Sequence, residues 1–331
     1  MRWPFGASRA GDGRPQVPGG EILPAEILRQ VRRLEIRTRA TVSELFTGQY
    51  HSVFKGQGME FAEVREYVPG DDIRTIDWNV TARYGTPYVR KYVEERELTI
   101  FLAVDVSGSL GFGSAGRSKV ELAAEIAALL AFSAINNHDK VGLLTFTERP
   151  ELFIPPRKDR GHALRLIREI LYHRPQGRGT DLAAACETMR HALRRRSVVF
   201  LLSDFPVPIA PLDGPLGALA RKHDLIALEI RDPLEVLTSC ATKRSKVGSI
   251  QWPRLGLFEW EDPETGRTIL FDTSDRVARG RLGSLIGEQR AAVTRVLRRH
   301  GVDQVTLHVG SDPVEPLLAF FRLRERRRAR E

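Results

Sequence analysis

The sequence predicts an α/β fold: a doubly wound, mostly parallel sheet with flanking helices, a small N-terminal β-rich module and an inserted β-hairpin. Three observations predict it. The apolar runs Leu98–Val104 and Ser197–Leu202 have the length and composition of fully buried strands. Helical patterns over residues 119–135, 161–172 and 181–193 separate such runs, as parallel βαβ units with right-handed crossovers require. Both strand-like runs also end near an acid, Asp105 and Asp204, on the edge where open parallel sheets gather ligands.

Taken in order, residues 1–21 are rich in Gly and Pro and read as a disordered tail without the apolar core of a signal peptide. Pro24–Arg39 follows with apolar residues at near-helical spacing, Pro24 suiting the first turn. It reads as a helix docked on the body, with membrane-surface contact through its Arg-rich face as the weaker alternative. Residues 22–96 thus hold a helix and then the β-rich module. Gly56–Arg83 alternates aromatic and β-branched residues with charges around the Pro69-Gly70 turn, which predicts short strands and tight turns. Arg65, Arg74 and Arg83 beside Glu60, Asp71, Asp72 and Asp77 suggest a charge network that fixes this substructure. The alternatives are a second acidic cation site at Asp71, Asp72 and Asp77, or a docking surface; Trp78 and Tyr67 read as packed anchors. Tyr88–Glu97 leads on as a strand or linker, so this module is expected to pack against the main domain.

The main domain is assigned to residues 97–312. Leu98–Val104 opens it and stops at Asp105, followed by Ser107 and Ser109. Ser118-x-x-Glu121 is a capping box for the helix Lys119–Ile135. Lys140–Thr147 reads as the next strand, with Leu152–Ile154 as a short edge partner, then a helix over Gly161–Tyr172. Gly177–Leu182 is a glycine-rich loop that delivers Thr180 just before the helical pattern of Asp181–Leu193. After Asp204 come a proline-rich loop over Pro206–Pro215, a short helix and the strand Asp224–Ile230. Residues 231–274 break the rhythm: FEW and TILFDT flank the turn Asp262–Arg267, which reads as an inserted hairpin. A long helix over Asp275–His300, the strand Gln304–Val309 and a helix from Pro313 into a basic tail over 313–331 complete the chain.

Asp105, Ser107, Ser109, Thr180 and Asp204 are all oxygen donors at strand ends, which suits magnesium or manganese and suits zinc poorly. Their order and spacing resemble the five-part metal-ion-dependent adhesion site of von Willebrand factor type A domains, over roughly Glu97–Gly310; Leu110 stands where related domains often have Met. That resemblance implies a magnesium-type ion whose coordination an acidic side chain of a partner completes. Asp105, Ser107 and Ser109 would bind it directly, with Thr180 in one conformational state and Asp204 directly or through water. It also implies that a change between those coordination sets moves the C-terminal helix. The stretch Gly58, Glu60-Phe61, Arg65, Tyr67, Pro69–Asp72, Arg74, Ile76–Trp78 and Thr81–Arg83 is similar to the signature region of the domain of unknown function 58 family. Members of that family are commonly encoded beside MoxR-type AAA+ ATPases. The resemblance therefore implies an adaptor working with such an ATPase and its client in assembly, remodelling or metal insertion.

Composition bounds the function. Residues 1–40 carry eight Arg against four acids and residues 322–331 carry six Arg against two Glu, so nearly all of the formal +9 sits in the two ends. A nucleic-acid-binding body would carry its excess on a folded face, so no specific nucleic acid is expected. The basic ends read as solvated, with weak membrane-surface contact as the alternative. No apolar run reaches the ~18 residues that span a bilayer. Cys186 and Cys240 form no pair motif, which points to a reduced, cytoplasmic protein. His162, His173 and His191 lack metal-ligand spacing, and no phosphate-cradling Gly-x-x-x-x-Gly-Lys-Ser/Thr run occurs. The reading is therefore a non-enzymatic interaction protein. The alternative is a metal-dependent phosphohydrolase or nuclease, but Asp105 lacks a second aspartate two residues on and the site loops hold no His or Lys to act as a base.

Overall fold

The apolar run after Leu98 forms strand β3 (Thr99–Asp105), and its side chains divide between the two faces of the sheet as a period of two dictates. Ile100, Leu102 and Val104 enter one apolar cluster, whereas Phe101 and Ala103 enter the other. The computed structural model describes residue 32 and residues 60–93, 97–114, 116–206, 209–233, 256–261, 263–264 and 266–328.

β3 lies inside a six-stranded sheet with β4 (Lys140–Phe146), β5 (Pro150–Arg157), β6 (Val198–Ser203), β7 (Asp224–Arg231) and β10 (Asp303–His308). Their spatial order is β10-β7-β6-β3-β4-β5, and every pair is parallel except the edge pair β4–β5. Helices cover both faces, as a parallel sheet buried on both sides requires. On one side lie α2 (Lys119–Asn136), α3 (Arg160–Tyr172) and α7 (Val314–Arg328). On the other lie α4 (Leu182–Ala192), α5 (Ile209–Lys222) and α6 (Arg276–Arg299). This is the doubly wound architecture that the strand and helix pattern predicts. The chain places β4 on one side of β3 and later returns to place β6 on the other, so the switch point falls at the carboxyl end of β3. None of the described helices is long and apolar enough to cross a membrane.

Most elements appear where the sequence places them. The capping box on α2 has both halves: the Ser118 hydroxyl accepts from the Glu121 N–H, and the Glu121 carboxylate accepts from the Ser118 N–H. β8 (Leu257–Glu261) and β9 (Thr268–Asp272) form the antiparallel inserted hairpin. The edge partner expected at Leu152–Ile154 is longer, because β5 runs on through Pro155 and Pro156 on an outer strand that tolerates them.

Two expectations are corrected. The proline-rich segment 206–215 is not a loop throughout: α5 begins at Ile209 and keeps Pro215 inside it. Burial of Leu212, Leu216 and Leu219 outweighs the hydrogen bond that Pro215 cannot donate. The β-rich module also contains a helix. β1 (Glu60–Glu66) pairs antiparallel with β2 (Tyr88–Val93), and between them run a 3-10 turn (Ile73–Thr75) and α1 (Trp78–Tyr84). Asp77 starts α1 by accepting from the Asn79 and Val80 N–H groups, and Gly85 ends it at φ +75°. Apart from Arg32, the helix expected over 24–39 lies outside the described residues, as do Trp252, Cys240 and residues 238–250.

Candidate metal centre

Asp105 ends β3 fully buried, and the backbone turns at once beneath it. Its Oδ1 accepts the Ser107 N–H at 2.9 Å and its Oδ2 accepts the Ser203 hydroxyl at 2.7 Å, so β3 and β6 are tied at their ends. The chain then coils into a 3-10 turn (Gly108–Gly111), in which the Ser107 side chain makes no cap bond. It lies instead 3.1 Å from the Ser109 hydroxyl, which donates to Asp204 Oδ1 at 3.2 Å. Asp204 Oδ2 accepts from Lys119 Nζ at 2.7 Å, and Lys119 is only 1% exposed. Four of the five residues singled out by the sequence, Asp105, Ser107, Ser109 and Asp204, thus form one hydrogen-bonded group at the switch point. Burial pushes the Asp105 carboxyl up to about 7, and the neighbouring Asp204 charge adds to the rise.

Thr180 arrives on a separate loop that is fastened from below. Glu151 Oε1 accepts from the Gly177 and Gln176 N–H groups and from the Thr147 hydroxyl, at 2.9, 3.1 and 2.8 Å. Glu148 Oε2 accepts the Gly179 N–H at 2.7 Å. Gly177 sits so close to this support that a Cβ there would lie 2.3 Å from Thr147 Oγ1. The Gly108 N–H donates to the Arg178 carbonyl at 2.9 Å, which joins the Thr180 loop to the Asp105 loop. The Thr180 hydroxyl itself donates to Glu264 Oε1 at 2.8 Å, on the turn of the β8–β9 hairpin.

The donor set fits a hard divalent cation. Two carboxylates and three hydroxyls offer only oxygen, with no thiolate or imidazole among them; among the described residues there is no group of three or more His, Cys, Asp or Glu that could hold a metal ion. Asp105 and Asp204 face the single Lys119 ammonium, so ionising both would leave an excess of negative charge out of water, which a bound cation would offset.

The N-terminal acids do not converge. Asp71 pairs with Arg65 at 2.6 Å, which holds its carboxyl below the usual range; Asp72 caps the 3-10 turn and Asp77 caps α1. Arg74 and Arg83 are exposed, and Glu60 begins β1. Trp78 is 67% exposed, not a packed anchor: position one of a seven-residue helix with no buried residue leaves it on the surface. His162 is buried and bonds the Val141 carbonyl, the satisfied core histidine that its lack of ligand spacing suggests.

Sequence reasoning passed over Ser203, Lys119, Glu151 and Glu264. Ser203 precedes a strand-end acid, a position that offered a signal; Lys119 gave none beyond its place in a capping box. It also passed over Asp232, fully buried just past β7, which accepts from the Ser114 N–H at 2.8 Å and steadies the approach to α2. Phe205, buried beside Asp204, holds φ +54°, a left-handed backbone at the lip of the centre.

A family profile described as protein of unknown function DUF58 matches residues 63–292. An uncharacterized protein of Mycobacterium tuberculosis is 31% identical over 314 residues, which cover 94% of each chain. A Paracoccus denitrificans protein described as an uncharacterized protein in the moxR 3′ region is 33% identical over 120 residues, 36% of this chain and all of that one. Among solved structures, the conserved hypothetical protein BatB of Bacteroides thetaiotaomicron is 14% identical with a TM-score of 0.47, over 70% of this chain and 99% of that one. A von Willebrand factor type A protein of Catenulispora acidiphila is 12% identical with a TM-score of 0.37, over 72% and 44%.

Proposed function

The chain belongs to the DUF58 family, and from that premise we propose that it is a non-enzymatic adaptor that captures an acidic side chain of a protein partner through a magnesium-type cation. The observation that carries this reading is the group Asp105, Ser107, Ser109 and Asp204: oxygen donors only, drawn together from two strand ends, with more carboxylate than ammonium charge. These residues would hold the ion, and Thr180 would join them from its fastened loop. A hard octahedral ion held by few protein ligands keeps positions open for a carboxylate. One such contact gives orientation and metal dependence, while affinity comes from the surrounding surface.

The groups available for catalysis argue in the same direction. Asp105 has no second aspartate two residues on, and the buried Lys119 ammonium is engaged by Asp204. A MoxR-type AAA+ ATPase is the partner best supported, since the Paracoccus relative is described as lying in a moxR 3′ region.

The test is capture of the MoxR-type ATPase by purified protein in magnesium and in EDTA, with wild type and Ser109→Ala side by side. The ATPase should be retained only by wild type in magnesium. Equal retention in all four conditions would remove the cation from the account. Phosphatase or nuclease turnover that vanishes in Asp105→Ala would install the hydrolytic reading instead.

A further inference from the structure

We propose that Glu264 is an acidic ligand of the metal centre supplied by the chain itself, so that an outside carboxylate reaches the cation only by displacing it. This rests on the cation-centred reading above and extends it to the β8–β9 hairpin, which that reading leaves without a task.

Contacts on both rim loops place the hairpin turn over the centre. Thr180 Oγ1 donates to Glu264 Oε1 at 2.8 Å, so a carboxylate already meets one of the proposed ligands. The Pro263 carbonyl passes so close to Gly108, midway between Ser107 and Ser109, that a Cβ there would lie 2.5 Å from its oxygen. Glycine at 108 is therefore what admits the turn. On the other rim, a Cβ on Gly266 would stand 3.9 Å from Arg178 Nη1, within the loop that carries Thr180. Gly266 itself adopts φ +67°, a turn conformation that glycine takes without strain.

Charge agrees with this placement. With a divalent cation bound and Asp105, Asp204 and Lys119 ionised, the centre would carry one net positive charge. The Glu264 carboxylate brings the assembly to neutrality, which a largely buried cluster favours. Because Glu264 is tethered, its effective concentration at the ion is of the order of millimolar or above. A free carboxylate ligand therefore binds with its intrinsic affinity reduced by the fraction of centres that Glu264 leaves open.

The experiment uses the full chain, Mn²⁺ alone as the metal probe and acetate as the carboxylate probe. Free Mn²⁺ is read by electron paramagnetic resonance, and acetate at the bound ion by relaxation of its methyl protons. Glu264→Gln and Glu264→Ala should each bind Mn²⁺ about tenfold more weakly than wild type, and should show stronger acetate relaxation once loaded. Glu259→Gln, on the exposed part of β8, should match wild type. Unchanged Mn²⁺ affinity and acetate relaxation in both Glu264 variants, with Mn²⁺ binding lost in Ser109→Ala, would overturn the proposal and leave the metal centre standing. Absence of Mn²⁺ binding in wild type would overturn both.

Discussion

Lys119 is 1% exposed, so its ammonium relies on Asp204 rather than on water, and Asp204 relies on it in turn. Breaking a buried pair by removing one partner costs about 3–5 kcal/mol. Lys119→Met should therefore lower the melting temperature in EDTA and recover much of the loss in magnesium, since a divalent ion offsets the charge left on Asp204. Asp204→Asn should be destabilised in both buffers, because it leaves the ammonium buried and removes a metal ligand. Equal effects of magnesium on wild type and Lys119→Met would contradict the charge argument. These residues also show where reading from sequence stops. Asp105, Ser107 and Ser109 lie within five positions and were legible as a motif, whereas Lys119 meets Asp204 across 85 positions and Ser203 meets Asp105 across 98. The parallel pairing of β3 with β6 brings Ser203 to Asp105, and the packing of α2 on the sheet brings Lys119 to Asp204. His223 offers a separate test at this scale. It is 3% exposed with both ring nitrogens buried and unbonded, and burial, then Lys222 and Arg196, lowers its pKa to about 4. The unfolded chain takes up this proton near pH 6.5 and the folded one only near 4, so stability falls as pH drops through that window. Replacing His223 with Leu should flatten the change in urea midpoint between pH 6.5 and 4, and an unchanged slope would count against this residue.

The capping box does more than start α2, because the first residue of that helix is Lys119. Ser118→Ala should cost about 1 kcal/mol in a denaturant titration with unchanged slope. The Thr180 loop is the corresponding element on the opposite rim. In Gly177→Ala the new Cβ meets Thr147 Oγ1 and the Glu148 carboxylate, so the loop must lift from its support. The sheet is untouched by that change. The expected outcome is a protein with wild-type far-ultraviolet circular dichroism and weakened Mn²⁺ binding, and retention of full Mn²⁺ affinity would show that the loop does not position a ligand. Elements with long apolar stretches or paired start and stop residues, such as α2, β3 and α6, were legible from pattern. α1 was not, because seven residues with no buried side chain leave no apolar period; only the Asp77 and Gly85 caps mark it. α5 was hidden by its own prolines, whose local preference was overridden by the apolar contacts of its inner face.

Across the whole molecule, the last helix decides how the basic C-terminus is to be understood. From sequence, six Arg in the final ten residues read as a solvated end. In the fold, the segment is divided. Leu317 and Phe321 are fully buried in the same cluster as α2 and α3, with Phe320 beside them, so α7 closes one face of the sheet. Arg324 pairs with Asp224 and with Asp303, the latter at 3.0 Å, and Arg327 adds a 2.9 Å contact to Asp303; both acids begin strands, β7 and β10. Arg322 and Arg326 are exposed. Removal of residues 313–331 should therefore abolish cooperative unfolding, since it strips three large apolar side chains worth ~1.5–3 kcal/mol each from one core. The double substitution Arg322→Glu and Arg326→Glu should leave the melting temperature within the small range of surface changes, about 0.5 kcal/mol each. Arg324→Glu should fall between the two, because it sets a carboxylate against Asp224 and Asp303 at a partly buried position. Were the double substitution as damaging as the deletion, the charge of the tail rather than its apolar face would be holding α7 to the sheet.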